Sequence, residues 1–166
     1  MLEFPFHQSL TSERRAPGVE AAVVEEAPQK EVVTGRATQR KRRVLVMDDE
    51  ASILDLTGRM LQSQGYEVEL TADGETAVSL YRAALEAGRR FDVVILDLTV
   101  PAGMGGYDTF SAMRGIDPGV KVIVSSGYSH EPVVLRYKEL GIAGLAPKPY
   151  KLSELLAAVA GVLAAC

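Results

Sequence analysis

Between Val44 and Leu163, short apolar runs alternate with stripes of apolar residues at helical spacing, and no other feature limits the fold as strongly. Val44 to Met47 and Val93 to Leu96 are unbroken apolar runs, suited to strands buried on both faces. Val68, Leu70 and Ala72 alternate with Glu67, Glu69 and Thr71, the pattern of a half-exposed strand. Val120 to Val124 supplies a fourth strand, and a short fifth lies around Leu145. Pro147 beside it fits an edge position, because proline cannot donate to a ladder. Between these runs, Ile53, Leu56, Met60 and Leu61 mark a first helix, with Gly65 placed to cap its end. Ala77, Val78, Tyr81, Ala84 and Leu85 mark a second, and Phe110 and Met113 a third. Val133, Val134, Tyr137 and Leu140 form one helical stripe that Gly141 terminates. Leu152, Leu155, Leu156, Val159 and Leu163 close the chain as an amphipathic helix. Strand and helix in strict alternation predict an α/β fold, a parallel sheet covered by helices on both faces.

Composition changes near residue 43. Before it, Glu20, Glu25, Glu26 and Glu31 give way to the basic run Arg40, Lys41, Arg42, Arg43, with Pro17 and Pro28 interrupting. Residues 1–42 therefore read as a linker or disordered tail, and residues 43–166 as the folded domain. Leu2 to Phe6 alternates and could be the last strand of a larger preceding domain. The basic run reads as a solvated linker. A net charge of −4 over 166 residues gives no reason to expect a nucleic-acid partner. The one cysteine, Cys166, forms no intrachain disulfide, which fits a reducing cytoplasm. No apolar run approaches the roughly 20 residues of a membrane span, and Met1 to Phe6 lacks the features of a signal peptide. No membrane contact is expected.

Ligands of open α/β sheets sit at the carboxyl ends of the strands. Here Asp48 and Asp49 follow the first strand, Asp97 the third, Ser126 the fourth and Lys148 the fifth. With the first and third strands as neighbours, three carboxylates would converge in one crevice and raise one another's pKa. A hard divalent cation resolves that conflict, and magnesium suits it best. Taken singly, each residue has an ordinary reading: Asp48 or Asp49 as a helix cap, Asp97 as a turn opener, Ser126 as loop chemistry, Lys148 as a solvated cation. Their joint placement, one group per strand end, outweighs those readings.

The stretches Val44-Leu45-Val46-Met47-Asp48-Asp49-Glu50, Val93-Val94-Ile95-Leu96-Asp97-Leu98, Val122-Ile123-Val124-Ser125-Ser126-Gly127 and Lys148-Pro149 resemble the receiver domains of two-component signalling across residues 43 to 163. The resemblance implies a doubly wound, flavodoxin-like sheet of five parallel strands in the order 2-1-3-4-5. It implies that Asp97 is the phosphoacceptor and that Asp48 and Asp49, with Asp97 and the backbone carbonyl of Thr99, hold Mg2+. Ser126 and Lys148 would bind the phosphoryl group, and Lys148–Pro149 would be a cis bond. The implied partner is a histidine kinase or a histidine phosphotransfer domain, and a homodimer is compatible with it. By the same resemblance Leu145 occupies the switch position, where the family usually carries an aromatic residue, so conventional aromatic switching is in doubt. Tyr128, two residues past Ser126, would modulate dephosphorylation as a cover against water. Thr99 is too small to do so. His7 and His130 read as ordinary polar residues.

The loop from Leu98 to Gly106 is one residue longer than the common family form between Pro101 and Met104. It looks like that of receivers attached to hybrid sensor histidine kinases, and the tail fits a remnant of such a kinase. Two other enzyme or carrier classes fit poorly. A haloacid-dehalogenase-type phosphatase needs a second acid two residues after the nucleophile, where this chain has Thr99. A flavodoxin-like carrier needs a Ser/Thr/Gly-rich loop where this chain has Asp48-Asp49-Glu50. A receiver that serves only as a non-phosphorylated interaction module would not need the full set of site residues.

Overall fold

The computed structural model describes residues 40–101, 103–127 and 132–165. Its strands are β1 (Arg43–Met47), β2 (Glu67–Thr71), β3 (Val93–Asp97), β4 (Val122–Ser126) and β5 (Gly144–Pro147). The helices are α1 (Ala51–Ser63), α2 (Gly74–Glu86), α3 (Gly106–Ile116), α4 (Pro132–Leu135), α5 (Tyr137–Leu140) and α6 (Leu152–Ala164). All strand pairs are parallel, in the order β2-β1-β3-β4-β5, as expected. Reversal of strand order between β1 and β3 opens the crevice where a doubly wound sheet takes its ligand.

Every residue of β1, β3 and β4 is buried, which explains their unbroken apolar runs. Successive side chains point to opposite faces, so the sheet divides the core into two layers. Leu45, Met47, Val94, Leu96, Val122 and Val124 meet Ala77 and Tyr81 of α2 and Phe110 and Met113 of α3. Val44, Val46, Ile95, Ile123 and Ala146 meet Leu61 of α1 and Leu155, Val159 and Val162 of α6.

Local punctuation works as expected after α1 and α5. Gly65 (φ 87°) and Gly141 (φ 82°) take the left-handed conformation just past α1 and α5. The Asp73 carboxylate caps α2 by accepting the Thr76 N–H at 2.7 Å.

Other expectations are corrected. The stripe Val133–Leu140 is two short helices, α4 and α5, separated at Arg136, whose ψ of 18° departs from helical values. β4 begins at Val122 rather than Val120, because a turn at Asp117 holds the intervening residues. That carboxylate accepts the Gly119 N–H at 2.9 Å, and its carbonyl accepts the Val120 N–H at 3.1 Å. Leu56 and Leu152, placed on core faces by spacing, are 44% and 39% exposed. Thr57, Gly58 and Val162 take the buried positions instead. In β2 the expected alternation reverses at its end: Thr71 is buried and Leu70 is 40% exposed, lying over Gly58 of α1.

The basic run is not uniformly solvated. Arg43 is buried within β1, pairs with Glu67 and Glu69, donates to the Arg89 carbonyl and lies 4.4 Å from the Phe91 ring centroid. Arg40 grips the Asp92 carboxylate with two hydrogen bonds of 2.7 and 3.0 Å. Leu2 to Phe6, with residues 1–39 as a whole, lies outside the described residues, as do Tyr128, His130 and Cys166. Among the described residues, no helix is long and apolar enough to cross a membrane.

Candidate functional site

Because β1 and β3 are neighbours, their ends deliver carboxylates to one crevice. Asp48 directly follows β1 and Asp97 ends β3, each only 1% exposed, while Asp49 beside them is exposed. Ligand oxygens of Asp48, Asp49 and Asp97 lie within 4.8 Å of one another. The helix-cap reading of the acid pair fails. Glu50 is the N-cap residue of α1, and no side chain caps that end.

Lys148 arrives from the end of β5. Its ammonium hydrogen-bonds Asp97 Oδ2 at 2.9 Å and forms an ion pair with Asp48 Oδ2 at 2.6 Å. Asp48 Oδ2 is thus met by the Lys148 ammonium, whereas Oδ1 accepts the Glu50 N–H at 3.0 Å. Burial pushes the Asp48 carboxyl above the ordinary carboxylate range. Lys148 and the Glu50 N–H recover part of that, and the charge of Asp97 adds to it. For Lys148, burial works against the charged form, but the two carboxylates outweigh it and hold the ammonium above the usual lysine value. The Lys148–Pro149 bond is cis, as expected.

Asp97 is held more fully than spacing alone indicated. The Thr99 hydroxyl lies 2.9 Å from Oδ1 and 3.1 Å from Oδ2, and the Thr99 N–H donates to Oδ1 at 3.2 Å. Sequence reasoning gave Thr99 only a carbonyl role. The signal for its hydroxyl was present, since an Asp with Thr two residues on is a common local turn pairing.

Ser125 is the in-register partner of Asp97 across β3 and β4, and Ser126 follows it, buried at the strand end. The Ser126 carbonyl accepts the Lys148 N–H at 2.9 Å, so backbone pairing sets these two residues side by side. A second hydroxyl contact escaped the sequence reading: Ser125 donates to the buried Tyr150 hydroxyl at 3.4 Å. Leu145 is half-buried on β5, in register with Val124.

The model of the response regulator receiver domain matches residues 44–160. The chain belongs to that family. Among curated relatives of this receiver domain, the alkaline phosphatase synthesis transcriptional regulatory protein SphR of Synechococcus elongatus is 32% identical over 81% of this chain and 53% of its own length. Sporulation initiation phosphotransferase F of Bacillus subtilis is 29% identical over 70% of this chain and 90% of its own. The chain thus spans about half the length of SphR and nearly all of the phosphotransferase. Among solved structures, chemotaxis protein CheY4 of Vibrio cholerae is 31% identical, with a TM-score of 0.65 over 74% of this chain and 99% of that one. A CheX–CheY–BeF3–Mg2+ complex from Borrelia burgdorferi matches at 29% identity and TM-score 0.66 over 73% of this chain and 88% of that one. The receiver domain is a module of phosphorelay signalling, and the phosphatase reading is not favoured.

Proposed function

We propose that this receiver domain accepts a phosphoryl group on Asp97 from a phosphohistidine of a histidine kinase or phosphotransfer domain, in a magnesium-dependent reaction. The observation that carries the reading is the buried Asp97 carboxylate, backed by Lys148 at 2.9 Å and by Thr99, beside two further acids. An oxygen of Asp97 forms the new bond to phosphorus as the bond to the histidine nitrogen breaks. The electron pair leaves with the imidazole, which then takes up a proton from solvent. Lys148 neutralises charge on the accepting group, and Ser126 at the adjacent strand end supplies a hydroxyl to the phosphoryl oxygens. Phosphoryl transfer demands mainly such positioning and neutralisation.

The acids fit a magnesium ion, because ligand oxygens of three carboxylates converge there, two of them on buried residues. Asp48, Asp49, Asp97 and the Thr99 carbonyl would hold it, and when bound it would neutralise charge on the incoming phosphoryl group. The Mg2+ and BeF3 named for the Borrelia burgdorferi CheY complex support this reading. Phosphorylation would then switch the partner interactions of the domain, with Leu145 standing where a change of β5 would be felt. A cytoplasmic location agrees with these partners.

Incubation with magnesium and a small acyl phosphate, followed by intact mass measurement, tests the proposal. Wild type should gain one phosphoryl group and Asp97→Asn none, since an amide is a far weaker nucleophile than a carboxylate. Labelling of the Asn variant at the wild-type rate would overturn the assignment, and an unlabelled wild type would leave a non-phosphorylated interaction module.

A further inference from the structure

The loop between Asp97 and α3 carries Thr99, which hydrogen-bonds the Asp97 carboxylate, and further contacts anchor it. At its start, the Leu98 N–H donates to the Ser125 carbonyl at 2.9 Å. At its end, the Thr109 hydroxyl donates to the Gly105 carbonyl at 2.8 Å. Between these points a side chain from a distant element reaches it. The Glu75 carboxylate, in the first turn of α2, accepts the Met104 N–H at 3.1 Å.

Two glycines are fitted to that contact. Gly103 adopts φ 77°, and a Cβ there would lie 3.1 and 3.2 Å from the Glu75 carboxylate oxygens. Gly74, next to Glu75, packs so closely that a Cβ would overlap the Met104 carbonyl oxygen and the Thr109 hydroxyl. The start of α2 is therefore pressed against the backbone of this loop, and Glu75 is the group that bonds it. An acid in the first turn of a helix is also favourable for the helix dipole. That effect explains a carboxylate at this position, but it gives no reason for glycine on both sides of the contact.

We propose that Glu75 is a positioning residue: through the Met104 N–H it fixes the loop and so holds Thr99 against the Asp97 carboxylate. The inference rests on the reading of Asp97 as phosphoacceptor. Loss of the carboxylate frees the loop, and the Thr99 hydroxyl and carbonyl then spend less time in place. Gln keeps an acceptor oxygen at the same reach, whereas Ala does not.

The test uses the full chain as wild type, Glu75→Gln and Glu75→Ala, with three readouts. These are magnesium affinity by calorimetry, the labelling rate with a small acyl phosphate, and deuterium exchange of the peptide spanning the loop. Glu75→Ala should weaken magnesium binding and slow labelling by roughly threefold to tenfold, the range of one net hydrogen bond. It should also speed exchange in the loop, while Glu75→Gln stays near wild type. Equal exchange, affinity and rate in Glu75→Ala and wild type would overturn the proposal. Equal impairment of Gln and Ala would also overturn it, because charge at the helix end would then be the cause. If wild type itself takes no phosphoryl group, the phosphoacceptor reading fails, and loop exchange still decides the role of Glu75.

Discussion

Lys148 holds together a cluster that would otherwise repel itself. Its ammonium lies 2.6 Å from an Asp48 oxygen and 2.9 Å from an Asp97 oxygen, and both carboxylates are buried. Removing one partner of a buried pair leaves uncompensated charge, typically at a cost of about 3 kcal/mol. Lys148→Met should therefore lower stability by about that much in chelator, as read by urea denaturation. Magnesium should recover much of the loss, since a divalent cation answers the same carboxylates. A variant as stable as wild type in chelator would mean that the acids shed their charge by protonation instead. Of the three acids, Asp97 alone gains hydrogen bonds from both Thr99 and Lys148, which hold its two oxygens in place.

At the scale of elements, the crevice depends on close backbone approach at particular glycines. Gly106 begins α3 directly against the Asp97 carbonyl, where a Cβ would overlap the backbone oxygen. Gly65 has φ 87° but open space around it. The two positions separate crowding from conformational strain. Gly65→Ala should cost only the left-handed penalty, about 1 kcal/mol. Gly106→Ala must move α3 away from β3, so it should cost about 3 kcal/mol and, on the proposed function, also slow labelling of Asp97. Urea midpoints and labelling rates for the pair check this, and equal costs would contradict the packing at Gly106. The break between α4 and α5 belongs to the same scale. Arg114 from α3 donates to the Leu140 carbonyl at the end of α5, and Gly141 leaves room for its guanidinium.

Across the whole molecule, the end of the sheet opposite the crevice is closed by ion pairs. Burial opposes ionisation of Asp92, but the Arg43 N–H and the guanidiniums of Arg40 and Arg42 outweigh it, so its carboxyl lies below the usual range. Asp117 behaves alike, with burial outweighed by the Tyr81 hydroxyl, the Gly119 N–H and Arg90. With folded pKa values below the unfolded value of 3.8, both groups contribute stability that is complete above that value. The contribution is lost as pH falls through the folded values. Asp92→Asn should therefore cost about 2 kcal/mol at pH 7, the scale of hydrogen bonds to a charged group. The gap to wild type should close as pH drops below the ordinary carboxylate range. Urea denaturation at neutral pH and near pH 3 measures both, and a gap independent of pH would show that packing rather than charge is lost.

Contacts made within a strand or between strand ends were legible in the amino-acid order. A strand buried on both faces must be apolar throughout, so Val44–Met47 and Val93–Leu96 announced the centre of the sheet, and Asp48 and Asp97 were marked by where those runs stop. Left-handed caps at Gly65 and Gly141 were legible for a similar reason, since the demand there falls on one residue's own backbone. Tertiary structure alone decided which face of α1 is buried, because Gly58 lets Leu70 lie over it and turns Leu56 outward. It also decided that Arg43 is enclosed by Glu67, Glu69 and Phe91, although it stands in a run that reads as solvated linker. Helical spacing could not show that the stripe from Val133 to Leu140 breaks at Arg136, nor that Glu75 reaches the Met104 N–H. Each of these depends on a partner many residues away or on a single backbone angle, and neither leaves a period in the sequence.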